Sequence, residues 1–256
     1  MRPRPSITEF LKQLKQSGSE VLLGLKQLRQ QFALPADTKM QQALNTDYAN
    51  LGSNFWPLGP YDIAVVEDVS ASMGTTDFQP SRLEGGKKAI GHFVRLRARV
   101  SPEDRIAIVT FTETAETVLP FTPITEVDTI INKLKILEPQ DGTDIRAGLK
   151  ESKKLFLDPT VSNIQKKRFK RVLVLTDGHG GKPLKVADEL KNELNVLVEV
   201  IGIGGELSEV NEKLLRKVAT TDPDGFTHYW FIRDTNSLIT HYGELATGLA
   251  WKGKEK

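Results

Sequence analysis

The chain has 256 residues, 39% hydrophobic and 27% charged, a balance that supports a packed core and excludes a disordered or fibrous protein. Thirty-five Lys and Arg against 33 Asp and Glu leave a net charge of +2, so no overall field draws in nucleic acid or an anionic membrane. Cysteine is absent, which excludes a disulfide framework, thiolate zinc, iron–sulfur chemistry and a thiol nucleophile; any metal must sit on oxygen or imidazole.

The composition changes near residue 57. The first 57 residues hold seven of the ten glutamines and carry seven basic against four acidic side chains. Ser6 to Glu9 and Ser17 to Glu20 have the spacing of capping boxes and predict two short helices. Apolar residues at 11, 14, 21, 25, 28 and 32 fall along one helical stripe, which needs a surface to lie against. That surface is either the main domain or a partner protein. From Leu34 to Pro60 the Asn-, Gly- and Pro-rich chain reads as a linker, with Phe55 and Trp56 as anchors. The division is thus a helical extension and linker over 1–57, a main domain over 58–251 and a basic tail over 252–256. Charged or polar residues interrupt every apolar stretch before it reaches the length of a signal core or a membrane span, so the expected location is cytoplasmic.

From Tyr61 strands alternate with amphipathic helices. Ile63 to Val66 predicts a strand, and Ser81 to Val100 a helix that opens on a Ser81 to Glu84 capping box. Arg105 to Phe111 and Thr117 to Phe121 are β-rich runs too close together for a crossover helix, so they predict an antiparallel hairpin. Helices over 126–137 and 144–156 lead to a strand at Arg171 to Thr176. A helix over 183–194, a strand at Val196 to Ile203, a helix over 208–219, a strand at Thr227 to Ile232 and a helix over 235–249 complete the pattern. The expected fold is α/β: a doubly wound, mostly parallel six-stranded sheet with one antiparallel edge strand and helices on both faces.

In such a sheet ligands bind beyond the carboxyl ends of the strands. The first strand ends in Asp68-Val69-Ser70-Ala71-Ser72, with oxygen side chains at alternating positions. The strand that begins near Arg171 ends in Thr176-Asp177-Gly178, and Asp141-Gly142-Thr143-Asp144 opens the helix over 144–156. Five oxygens, from Asp68, Ser70, Ser72, Thr143 and Asp177, form a hard-cation pattern that suits Mg2+, with Mn2+ or Ca2+ as alternatives. Three neutral hydroxyls in the set leave such an ion with positive charge to offer a partner carboxylate. The competing reading is that these are capping and turn residues only.

The three motifs, in this order, resemble the von Willebrand factor A domains and their metal-ion-dependent adhesion site. The resemblance spans roughly 60–250. It implies direct metal contacts from Ser70, Ser72 and Thr143, with Asp68 and Asp177 acting through water. It also implies a protein–protein interaction module rather than an enzyme, with a partner that supplies a carboxylate. Intracellular relatives of this type act with AAA+ ATPases or with signalling kinases and phosphatases, and their last helix shifts on ligand binding, here the one over 235–249. Glu67 departs from the family, which has an apolar residue there; it either shifts Asp68 or adds a second carboxylate near the ion.

The alternative function is a metal-dependent hydrolase or phosphatase, since an ion with open positions activates water. Against it, the second acid of an Asp-x-Asp phosphatase is replaced by Ser70. Gly202-Ile203-Gly204-Gly205 lacks the spacing of a dinucleotide fingerprint. Lys166 to Arg171 is a basic run with one aromatic, better read as a solvated loop than as a nucleic-acid site. His179 lies at the rim of the loops, and His92, His228 and His241 are scattered in a way that suggests no zinc site.

Overall fold

The structure, a computed structural model, describes residues 60–162, 168–223 and 225–247. The predicted N-terminal helices, the linker with Phe55 and Trp56, the basic tail and the last two residues of the final helix lie outside them. One compact unit, Gly59–Ala246, holds the sheet. Among the described residues no helix is long and apolar enough to cross a membrane.

Six strands form one sheet in the order β3-β2-β1-β4-β5-β6. They are β1 (Tyr61–Asp68), β2 (Arg105–Phe111), β3 (Ala115–Pro123), β4 (Phe169–Thr176), β5 (Val196–Ile203) and β6 (Tyr229–Ile232). All neighbours are parallel except β2 and β3, which pair antiparallel as their short connection requires. Strand β1 is buried at all eight positions, as a central parallel strand covered on both faces must be.

The helices of five or more residues are α1 (Arg82–Val100), α2 (Val127–Lys135), α3 (Ile145–Leu157), α4 (Leu184–Asp188), α5 (Glu212–Val218) and α6 (Thr235–Thr247), and Pro159–Ser162 adds a single helical turn. Helix α1 starts where its capping residue predicts: the Ser81 side chain accepts the Glu84 N–H at 3.2 Å. Helix α3 starts on Asp144, whose carboxylate accepts the Arg146 N–H at 2.9 Å. Two predicted helices are broken up. The one over 183–194 is α4 followed by a π turn at Glu189–Glu193, and the one over 208–219 is a 3-10 turn at Leu207–Glu209 followed by α5, which Asn211 caps.

Two apolar layers flank the sheet. Val66, Val109, Val172 and Val198 pack with Ile145 and Leu149 of α3 and Leu215 of α5 on one face. On the other, the Phe93 ring of α1 meets the Tyr242 ring of α6 edge-on at 6.1 Å. Each fully buried apolar side chain contributes about 1.5–3 kcal/mol, so the central strands are held most firmly. The chain leaves β1 toward β2 on one side and leaves β4 toward β5 on the other. The carboxyl ends of β1 and β4 therefore flank the point where the strand order reverses, which is where an open α/β sheet leaves a crevice.

Candidate metal centre

Asp68 is the last residue of β1 and is fully buried. Register sets Glu67 of β1 opposite Leu175 of β4, which brings Asp68 level with Thr176. The Thr176 hydroxyl donates to Asp68 Oδ2 at 2.6 Å, and the Ser70 N–H donates to Oδ1 at 2.8 Å. Both carboxylate oxygens are thus tied to protein donors. Burial nevertheless raises the Asp68 carboxyl to about 6; the bonds from Ser70 and Thr176 pull it back, and the charge of Asp177 adds to the rise.

Beyond β1 the chain turns into a short 3-10 helix, Ala71–Gly74. This turn sets the Ser70 and Ser72 hydroxyl oxygens 3.1 Å apart. The Ser72 hydroxyl donates to Asp177 Oδ2 at 2.5 Å. With its single proton committed there, Ser72 Oγ faces Ser70 as an acceptor, and the proton between the two comes from Ser70. After Asp177 the chain reverses at Gly178, whose φ of +86° suits glycine and few other residues.

Asp68, Ser70, Ser72 and Asp177 therefore form one hydrogen-bonded set. Thr143 approaches by a different route. Its carbonyl lies against Gly180, so close that a Cβ on Gly180 would sit 2.1 Å from the oxygen. A bridge between Ser70 and Gln140 and a bond from the Gln140 N–H to the Val69 carbonyl at 2.7 Å hold the preceding residues to the β1 loop. The Thr143 side chain is half-buried, and no bond joins its hydroxyl to the other four residues. Asp144 instead caps α3 and pairs with Arg146 at 2.7 Å.

Glu67 does not add a carboxylate near the hydroxyls. Successive β residues face opposite sides of the sheet, and Glu67 turns away from them toward α1. A Cβ on Gly86 of that helix would lie 2.3 Å from Glu67 Oε1. Burial pushes its carboxyl well above the usual range, followed by the charge of Asp68, with Lys87 opposing. Two arginines of the basic run are structural: Arg168 binds Asp62 at 2.6 Å, and Arg171, within β4, is buried on Glu199. Lys166 and Lys167 lie outside the described residues. The exposed His179 turns Nε2 to the Glu209 carbonyl at 2.8 Å; that oxygen only accepts, so Nε2 carries the proton.

Arg82 was not singled out from the sequence. It is the first residue of α1, buried, and its Nη1 lies 3.3 Å from Asp177 Oδ2. Its other nitrogens bind Asp77 and Glu209. No spacing rule connects residues 77, 82, 177 and 209; only the folded chain brings them together. Asp77 does carry a local sign, lying five residues before Arg82 in the same loop-to-helix segment.

The donor chemistry fits a hard divalent cation. Two hydroxyl oxygens turned together beside two carboxylates supply oxygen ligands. The carboxylates' existing bonds to Ser72, Ser70 and Thr176 suit them to act through water rather than directly. Among the described residues no three His, Cys, Asp or Glu side chains gather to hold a metal by themselves. Any cation here therefore depends on the hydroxyls.

Residues 63–179 match the family model described as the von Willebrand factor type A domain. No curated protein matches the chain. Similar solved structures include BatB from Bacteroides thetaiotaomicron, called a conserved hypothetical protein, with a TM-score of 0.59, 22% identity and coverage of 74% of this chain and 98% of that one. Proximal thread matrix protein 1 from the mussel byssus has a TM-score of 0.61 and 23% identity over 75% of this chain and 48% of its own, so the match spans about half its length. The vWF domain of the type V pili tip protein Mfa5 from Porphyromonas gingivalis has a TM-score of 0.61 and 14% identity, covering 77% of this chain and 98% of that domain. At these identities the likeness is one of fold.

Proposed function

We propose, from the match of residues 63–179 to the von Willebrand factor type A domain model, that this chain is a Mg2+-dependent protein-interaction module that binds a carboxylate of a partner protein at the carboxyl ends of β1 and β4. One observation carries this reading. The Ser72 proton is committed to Asp177, which leaves two hydroxyl oxygens 3.1 Å apart, turned together beside a buried carboxylate.

Ser70 and Ser72 are the direct ligands in this reading, and Thr143 joins them by a rotation of its side chain. Asp68 and Asp177 hold the serines in place and orient water. A bound divalent cation supplies positive charge that three neutral hydroxyls leave largely uncancelled. Ser70, Ser72 and Thr143 would hold Mg2+ from one side and would leave the outer side open to a carboxylate from a partner.

We read the module as non-catalytic. Ser70 and Ser72 are engaged with each other and with Asp177, and the protonated Nε2 of His179 is turned to Glu209, so it does not serve as a base toward either serine.

The test is a pull-down with the tagged full chain in Mg2+ and in EDTA, beside isothermal titration of the chain with Mg2+. Partner capture that disappears both in EDTA and in Asp68→Ala is the expected result. The identity of the captured protein then decides between an AAA+ ATPase assembly and a kinase or phosphatase system. Capture that survives both treatments rejects the metal-bridged contact.

A further inference from the structure

Three carboxylates share one guanidinium beside the hydroxyls. Arg82 is 5% exposed. Its Nε lies 3.1 Å from both oxygens of Asp77, and Nη2 lies 2.6 Å from Asp77 Oδ2 and 2.9 Å from Glu209 Oε2. Nη1 reaches Asp177 Oδ2 at 3.3 Å, the same oxygen that accepts the Ser72 proton. Asp77 and Glu209 are tied together from behind, because the Gly205 N–H donates to both, at 2.7 and 3.1 Å.

The distances rank these contacts. Asp77 holds the guanidinium by the fork-to-fork geometry that Arg favours, and Glu209 holds it by one short bond. Asp177 has the longest and weakest contact. Hydrogen bonds from Arg82 keep the Asp77 carboxyl well below its usual range, as expected of the principal partner. The guanidinium therefore rests on Asp177 while Asp77 and Glu209 draw it away. A cation bound by Ser70 and Ser72 beside Asp177 would face Arg82 at close quarters, where like charges in a partly buried setting repel strongly.

We propose that Arg82 sets the divalent-cation affinity of the site: it is an internal counter-ion on Asp177 whose hold is relaxed by Asp77 and Glu209. This rests on the metal reading above and goes beyond it, because it assigns a role to three side chains outside the five ligands. It also links occupancy of the site to the loop after β5, since Glu209 and the Gly205 N–H belong to that loop. Arg82 is a positioning residue and touches neither ion nor partner.

The proposal makes changes of opposite sign. Arg82→Gln removes a positive charge and frees Asp177, so Mn2+, used as a spectroscopic probe in place of Mg2+, binds at least about tenfold more tightly. Asp77→Asn and Glu209→Gln remove the acids that draw the guanidinium away, so Arg82 settles on Asp177 and Mn2+ binds several-fold more weakly. The experiment is electron paramagnetic resonance titration of the full chain with Mn2+ for wild type, these three variants and Asp68→Ala, with melting temperatures recorded beside it.

A merely structural Arg82 would loosen binding and lower the melting temperature in all three variants. Unchanged or weaker binding in Arg82→Gln overturns the proposal, as does a shift of the same sign in all three. If Arg82→Gln does not fold, Asp77→Asn and Glu209→Gln decide together with their melting temperatures: weaker binding in both at an unchanged melting temperature supports the proposal, and unchanged or tighter binding in either, or weaker binding with a lowered melting temperature, rejects it. Failure of the metal reading looks different. There neither wild type nor any variant binds Mn2+, whereas tight wild-type binding that is lost in Asp68→Ala and unmoved in Arg82→Gln rejects only the role of Arg82.

Discussion

The two ends of the sheet both bury charge, and they resolve it differently. Toward the amino ends of the strands the buried acids Asp62, Asp104 and Glu199 are each paired with arginine. Asp62 accepts from Arg105 at 2.8 and 2.7 Å and from Arg168 at 2.6 Å, Asp104 accepts from Arg97 at 2.5 Å, and Glu199 is paired with Arg171. At the carboxyl ends Asp68 has only a hydroxyl and an N–H, and Asp177 shares Arg82 with Asp77 and Glu209. The first end is electrostatically closed and the second is short of positive charge. That shortfall is what the proposed cation from solution would make good.

The largest expected effect lies at the closed end. Arg171→Ala leaves Glu199 buried without its partner, and losing one member of a buried pair costs about 3–5 kcal/mol. Urea denaturation should show that loss, while the double replacement Arg171→Met with Glu199→Leu recovers most of it, because it removes both charges together. A small loss in the single variant would mean that the closed end is not closed and would undo the contrast.

The open end should show a smaller effect with a pH signature. In the metal-free protein the Asp68 carboxyl is raised from 3.8 to about 6, chiefly by burial. A group raised on folding stabilises fully below its unfolded value, and that contribution disappears as the pH rises through about 6. The difference corresponds to about 3 kcal/mol. Asp77, held low by Arg82, runs the other way and loses its contribution only as the pH falls below 3.8. The interval from pH 4 to 7 therefore isolates Asp68 from it. Measured in EDTA in a Glu67→Gln background, which removes the raised carboxyl coupled to Asp68, the protein should lose stability across this interval relative to its Asp68→Asn counterpart. Parallel profiles would mean that Asp68 is ionised throughout and already compensated.

The same contrast explains what the sequence could and could not reveal. The strand and helix order was legible because apolar periodicity and caps such as Ser81 are local. So was the antiparallel hairpin, whose connection is too short for any other pairing. The Asp68 to Ser72 and Thr176 to Gly178 motifs were legible because each lies at a strand end, which the doubly wound topology brings to one edge, and the Gly142-Thr143-Asp144 turn because it opens α3. The break of the 183–194 helix into a π turn was not, since Glu189 to Glu193 has ordinary helical residues and only the backbone reveals the change. The side that Glu67 faces followed from alternation along β1, yet its adjacency to Asp68 in sequence suggested proximity to the hydroxyls. Arg82 was hidden for a different reason: its three acids are 5, 95 and 127 residues away, and nothing local marks them as a set.

The smallest expected effect separates two ways of holding Arg82. Ser81 caps α1 immediately before it, and loss of such a cap costs about 1 kcal/mol. Ser81→Ala should therefore lower stability by about that amount, a shift resolvable by urea denaturation. If the guanidinium is positioned by Asp77, Glu209 and Asp177, as the short contacts to the first two imply, a frayed first turn leaves it in place and Mn2+ affinity stays within about twofold. If Ser81→Ala changes the affinity as much as Arg82→Gln does, the start of α1 positions the guanidinium. Charge balance at the open end would then be a property of the helix rather than of the three acids.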